Sequence, residues 1–218
     1  MAIGKRRTDI DRLGKLKWDF EIGKFVLENR VRTDSGWENE QHNVDNSGFR
    51  AVFDMIHIQC GWIAYLKGEG LNAVLEPLGQ DYGDPPTDKH REGLRLIVKT
   101  DETIGGDVRE LISTSSAIWN AIDTLHDAYI ADVQKHEGCL PAVDVAEVHK
   151  ETIGNGTILV PVLKIVGWVP RPPELPANGI PLFKRVKKDG AGRNSGEPAS
   201  GDYTRPKVED DMDKEIPF

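Results

Sequence analysis

Residues 107–135 read DVRELISTSSAIWNAIDTLHDAYIADVQK, and the place of this stretch among the strands decides the fold. Asp107 offers an N-cap oxygen, and Leu111, Ile118, Ile122, Leu125 and Tyr129 fall at helical spacing. Gly138 supplies a stop, so the pattern predicts one long helix over 107–135. Upstream, Gly93 to Lys99 alternates as a strand, with Leu94, Leu96 and Val98 facing inward and Arg95 and Lys99 outward. Downstream, Pro141 opens a strand through Val143, Val145 and Val148. Asn155-Gly156 is a hairpin turn signal, and Ile158 to Val169 forms the last strand.

Working back toward the N-terminus, Leu16, Trp18, Phe20 and Ile22 alternate with charged residues, as in a half-buried strand. Phe25, Val26 and Leu27 extend it past Gly23. Residues 32–48 are polar and contain Asp34-Ser35-Gly36 and Asp45-Asn46-Ser47-Gly48, which predicts a long loop. Residues 49–66 read as a strand, with Gly61 as a bend or bulge, and Tyr82 to Pro86 as a loop. Trp18 and Trp62 are expected in the core. The order is strand, bent strand, strand, helix, hairpin. A five-stranded barrel with a helix between its third and fourth strands has this order, an OB-like arrangement that is mainly β with one long helix (α+β). Other α+β domains share it.

From Pro170 the composition changes to a Pro-, Gly- and Ser-rich run without a core pattern, which predicts disorder. The expected organisation is a basic arm over 1–13, a folded body over 14–172, a flexible linker over 173–206 and an acidic tip over 207–218. The formal net charge is −8, but charge is segregated along the chain. The first thirty residues hold eight Lys and Arg against five acids, so a local cationic face is compatible with the acidic total. No stretch is long and apolar enough to span a bilayer. The basic N-terminus lacks an apolar signal core, and two cysteines fit a reducing compartment, so a cytoplasmic location is expected.

The chain closes on Glu209-Asp210-Asp211-Met212-Asp213-Lys214-Glu215-Ile216-Pro217-Phe218. Asp210, Asp211, Asp213 and Glu215 cannot be buried cheaply without partners, yet Ile216 and Phe218 are apolar where a solubilising tail needs none. A tethered ligand fits this chemistry. Phe218 fills a partner's pocket beside Pro217, the terminal carboxylate meets a cation there, and the acids steer the approach. This end resembles the acidic tip of bacterial single-stranded DNA-binding proteins, which finish in aspartates followed by Ile-Pro-Phe. Lys214 departs from the all-acidic pattern. The resemblance covers about a dozen residues. It implies sequence-tolerant binding of single-stranded DNA in replication, recombination and repair, with polymerase, nuclease or helicase partners recruited by the tip. It implies an OB-fold body, no catalysis and no cofactor, with homo-oligomers allowed. Phage proteins with such tails exist, and the divergent body fits a phage-encoded protein in a bacterial cell. The alternatives are an adaptor, or a small nucleic-acid-processing enzyme, that uses the same kind of tip.

Sequence-tolerant binding needs cations for phosphates and aromatic faces for bases. In the strand from Phe49, odd positions give Phe49, Phe53, Met55, His57 and Tyr65, and even positions give Val52, Ile56, Ile58, Cys60 and Trp62. One face packs the barrel, and the other is a candidate stacking platform with Arg50 beside it. Phe53 and Trp37 are the candidate stacking rings. Lys15, Lys17, Arg50, Arg95 and Lys99 are the candidate phosphate contacts. His57-x-x-Cys60 and His136-x-x-Cys139 contain zinc-type ligands, but a strand spacing of three puts His57 and Cys60 on opposite faces, so no metal site is expected. Ser113 to Ser116 is a hydroxyl cluster with no base fixed near it, and no Walker-type glycine loop is present.

Overall fold

The computed structural model describes residues 13–66, 70–153 and 156–181. Its elements are β1 (Gly14–Asp19), β2 (Lys24–Thr33), β3 (Gly36–Val44), β4 (Arg50–Phe53), β5 (Gln59–Leu66), β6 (Gly70–Pro77), β7 (Arg91–Thr100), β8 (Val108–Ser113), α1 (Ser116–Asp132), β9 (Cys139–Ile153) and β10 (Gly156–Pro170). The ten strands make one curled, open sheet in the order β10-β9-β4-β7-β8-β1-β2-β3, with β5 pairing β7 and β6. The sheet is a half-barrel with one helix. It curls so that the end strand β10 approaches β1 and the turn after it, where the Leu159 amide donates to the Phe20 carbonyl at 2.9 Å and Trp18 Nε1 donates to the Leu159 carbonyl at 2.7 Å, with β2 and β3 beyond.

Residues 50–66 run as a single bent strand along one edge of β7. β4 pairs its C-terminal half, and β5 its N-terminal half. The bend is the short 3-10 turn Met55–His57, not Gly61. Gly61 has a different task. At φ 151° it sits between β6 and β7, and a Cβ there would lie 2.2 Å from the Val74 carbonyl oxygen.

The main core lies inside the curl. Leu16, Phe25, Phe49, Leu94, Leu96, Val98 and Val143 pack there against Ile118, Ile122, Leu125 and Tyr129 of α1. Burying such a side chain contributes roughly 1.5–3 kcal/mol. The Phe25 and Phe49 rings stack at 4.2 Å, with Trp18 edge-on to Phe25 at 5.0 Å. Trp62 is only half-buried, under the 82–86 loop, where its Nε1 donates to the Gly83 carbonyl at 2.8 Å.

Three expectations change, and one strand is added. The helix begins at Ser116 with Ser115 as its N-cap residue, while 108–113 forms β8 between β7 and β1. Leu111 lies seven residues before Ile118, so it fits the helical stripe by coincidence. Residues 32–48 are not a loop, because β2 and β3 form a hairpin arm from Phe25↔Val44 to Thr33↔Gly36. Almost every β3 residue is exposed, so its strand carries no apolar alternation. β2 is a separate strand that turns back at Gly23, not an extension of β1. Residues 70–77 add β6. The five strands read from sequence exist; these four pieces, and the division of the bent strand into β4 and β5, raise the count to ten among the described residues.

The packed chain continues past 172. Residues 171–181 fold back over the sheet's second face, where Leu175 and Ile180 join Ile97, Leu140, Val52 and Val108 in a smaller core. Arg171 holds the buried Asp54 through two contacts of 3.0 and 3.1 Å, and His57 Nδ1 lies 2.9 Å from the same carboxylate. Gly179 passes over the His57 ring at φ 73°, where a Cβ would lie 2.9 Å from it. Residues 1–12 of the expected 1–13 arm, residues 182–206 of the expected 173–206 linker and the 207–218 tip lie outside the described residues, as do 67–69, 154 and 155.

Candidate nucleic-acid interface

Strand parity sorts the charges of the β2–β3 arm. Residues 28, 30 and 32 of β2 face one way, opposite Gln41, Asn39 and Trp37 of β3. That face carries Glu28, Arg30, Arg32 and Trp37. The opposite face carries Glu38 and Glu40, with Glu38 accepting from Thr33 and Ser35. Trp37 is 58% exposed at the arm's end, with the Arg30 guanidinium 5.2 Å from its ring centroid.

The cationic face continues onto β1. Lys15 is the cross-strand partner of Glu28 and Lys17 that of Val26. Lys17 Nζ donates to Glu28 Oε2 at 2.6 Å, Lys15 Nζ lies 3.8 Å from Oε1, and Gln41 Nε2 donates to Oε2 at 2.9 Å. Burial pushes the Glu28 carboxyl up, but the Lys17 and Gln41 hydrogen bonds and the two ammonium charges outweigh it, holding it below its ordinary value. Beyond Lys15 stands Tyr65, at the outer end of β5. Its ring is 5.9 Å from Lys15 Nζ, and the residue is 59% exposed. Crowding around its hydroxyl, with the Glu110 and Glu28 charges nearby, raises the phenol's pKa. One sheet face therefore presents Tyr65, Lys15, Lys17, Arg30, Arg32 and Trp37 in sequence across four strands.

The expected site residues divide. Lys15, Lys17 and Trp37 come together on this face. Phe53 does not, because its ring is 0% exposed in the main core, where β4 must pack against β7 and β9. Arg95 lies on the second sheet face as its parity requires, yet it is 3% exposed beneath residues 171–181. Its guanidinium donates to Glu110 at 2.6 Å, to Gln59 at 2.8 Å and to the Ile180 carbonyl at 2.7 Å, leaving nothing for a phosphate. Lys99 is similarly engaged with the Gly106 carbonyl at 3.0 Å and with Glu102 and Glu174 at 3.3 and 3.7 Å. Arg50 is exposed but makes a bidentate pair with Asp144 at 2.8 and 2.7 Å. In the strand order it stands three places from β1. Asp210, Asp211, Asp213, Glu215, Ile216, Pro217 and Phe218 lie outside the described residues.

Arg30 and Arg32 were not among the expected contacts, and Tyr65 was seen only as one member of the odd-numbered face of the strand from Phe49. Arg30 and Arg32 alternate with Asn29 and Val31, a strand signature hidden by the polar run that follows. Elsewhere, His57 is engaged by Asp54, and His136 stacks on Trp168 at 4.5 Å. No cluster of three metal-type ligands occurs among the described residues. None of their helices is long and apolar enough to cross a membrane. No family model matches this chain, and no curated protein or solved structure matches it either.

Proposed function

We propose that this protein binds single-stranded DNA without strong sequence preference and recruits replication, recombination or repair proteins through residues 207–218. The observation that carries the first half is the segregation on the arm: exposed cations and an exposed Trp on one face, where the only arm carboxylate among the described residues is the buried Glu28, and the exposed Glu38 and Glu40 on the other. Lys15, Lys17, Arg30 and Arg32 take phosphates, and bases stack on Trp37 and Tyr65. The bent strand 50–66 and the helix between β8 and β9 fit an elaborated oligonucleotide-binding barrel, with the strand bound on its outer face. The second half rests on the acid-rich end closing on Ile216-Pro217-Phe218. No catalytic role is assigned to the described residues.

The test is an oligo-dT titration followed by tryptophan fluorescence at several salt concentrations. Four phosphate contacts give a log–log salt slope of about −3 for a single strand. Equal or tighter binding to duplex of the same length refutes the reading. For the tip, the Phe218→Ala bait is expected to lose replication proteins that the intact chain recovers from a bacterial lysate. Recovery of the same partners by both refutes recruitment through this end.

A further inference from the structure

On the reading that this face binds single strands, we propose that Glu28 is an internal stand-in for a backbone phosphate, and that it sets how tightly the face holds nucleic acid. The site is built from three strands. Glu28 is 6% exposed at the centre of the face, and each of its carboxylate oxygens meets a lysine. Gln41, from β3, supplies a third donor. Two ammonium groups and an amide converging on one anion form the donor set that a phosphodiester needs.

The lysines are held but not sealed in. Their side chains are 32% and 44% exposed for Lys15 and Lys17, so both ammonium groups can turn outward without backbone movement. Lys15 already lies beside the Tyr65 ring, where a stacked base brings its phosphate within reach. An incoming strand therefore competes with Glu28 for the same two cations. The carboxylate lowers affinity and shares in every ion exchange that binding requires. Among the described residues Glu28 is the one carboxylate on this face that meets two lysines; Asp45 holds Lys24 alone. Arg30 lies over Trp37, and Glu110 is engaged by the buried Arg95.

The experiment uses the full chain and oligo-dT. Glu28→Gln keeps the shape and an acceptor for Lys17 while removing the charge. Expected is a three- to tenfold tightening at low salt and a salt slope steeper by about 1, since one or two more counterions are displaced. In a Lys15→Met/Lys17→Met background the same substitution is expected to change affinity less than twofold, because the cations it frees are gone. In the natural chain, amine-reactive labelling read by mass spectrometry is expected to show Lys15 and Lys17 protected by oligo-dT, a readout that survives if the variant folds poorly. Unchanged or weaker binding by a folded Glu28→Gln variant overturns the proposal, as does the absence of protection. Failure of the natural chain to bind oligo-dT at all instead overturns the underlying reading of the face.

Discussion

Replacing Trp37, Tyr65 and Phe53 singly by Ala separates rings that meet a ligand from rings that hold the fold. Trp37 is 58% exposed, and its one recorded aromatic contact is the Arg30 guanidinium. Losing an exposed cation–π pair costs about 0.5–1 kcal/mol of stability. For a domain of this size that lowers Tm by roughly 1–4 °C. A base stacked on the ring is worth about 1–3 kcal/mol, so Trp37→Ala is expected to weaken oligo-dT binding roughly 5- to 150-fold. Tyr65→Ala behaves the same way, since that ring is 59% exposed and pairs with Lys15. Phe53 is the opposite case. Its ring is wholly buried, and truncation leaves a core cavity that costs about 3–5 kcal/mol, a fall of roughly 6–20 °C. At temperatures where that variant remains folded, its affinity is expected to stay near that of the natural chain. Melting by circular dichroism and oligo-dT titration on the same preparations provide both numbers. Trp37→Ala and Tyr65→Ala variants that melt normally and bind as tightly as the natural chain refute the stacking assignment.

Three further outcomes follow from the packing and the ionisation states. Arg171→Met leaves the Asp54 carboxylate buried without its guanidinium, which is expected to cost about 3–5 kcal/mol in a urea titration; an unchanged midpoint means that residues 171–181 do not hold this pair in solution. The folded pKa of Glu28 is depressed, so its contribution is present above the ordinary carboxylate pKa and lost as pH falls through the folded value. Acid unfolding monitored below pH 4.5 is therefore expected to be shallower in Glu28→Gln, and identical profiles refute the assignment. Burial, with Glu92 and Asp123 adding to it, pushes the Cys60 thiol up to about 11, so roughly one thousandth is ionised at pH 8. Thiol labelling at Cys60 is expected only on unfolding, and rapid reaction in the folded protein contradicts its burial.

Strand parity was legible in the sequence, and what covers a face was not. Alternation around Leu94, Leu96 and Val98 correctly sends Arg95 and Lys99 to the other side of the sheet. Whether that side meets water depends on residues 171–181, some eighty positions away, and no local pattern in 91–100 records it. The same gap runs the other way in the arm. Residues 36–43 are exposed on both faces, so the pleat leaves no apolar trace. Only the turn signal at Asp34-Ser35-Gly36 survives, and the hairpin does reverse there. β8 was lost for a third reason. Arg109 is 2% exposed, with Asn29 and Asp107 accepting from it, so a polar side chain occupies a core position where alternation calls for an apolar one. Two of these failures, the covered face and β8, are tertiary contacts overriding a local rule and the arm is the lack of one; the covered face and the arm bear on the interface. A cation placed outward by parity becomes a ligand-binding group only if nothing else in the chain reaches it first. By that criterion Arg95 and Lys99 have been recruited to hold down residues 171–181, while Arg30 and Arg32 stay exposed on the arm and Lys15 and Lys17, though held by Glu28, keep side chains 32% and 44% exposed.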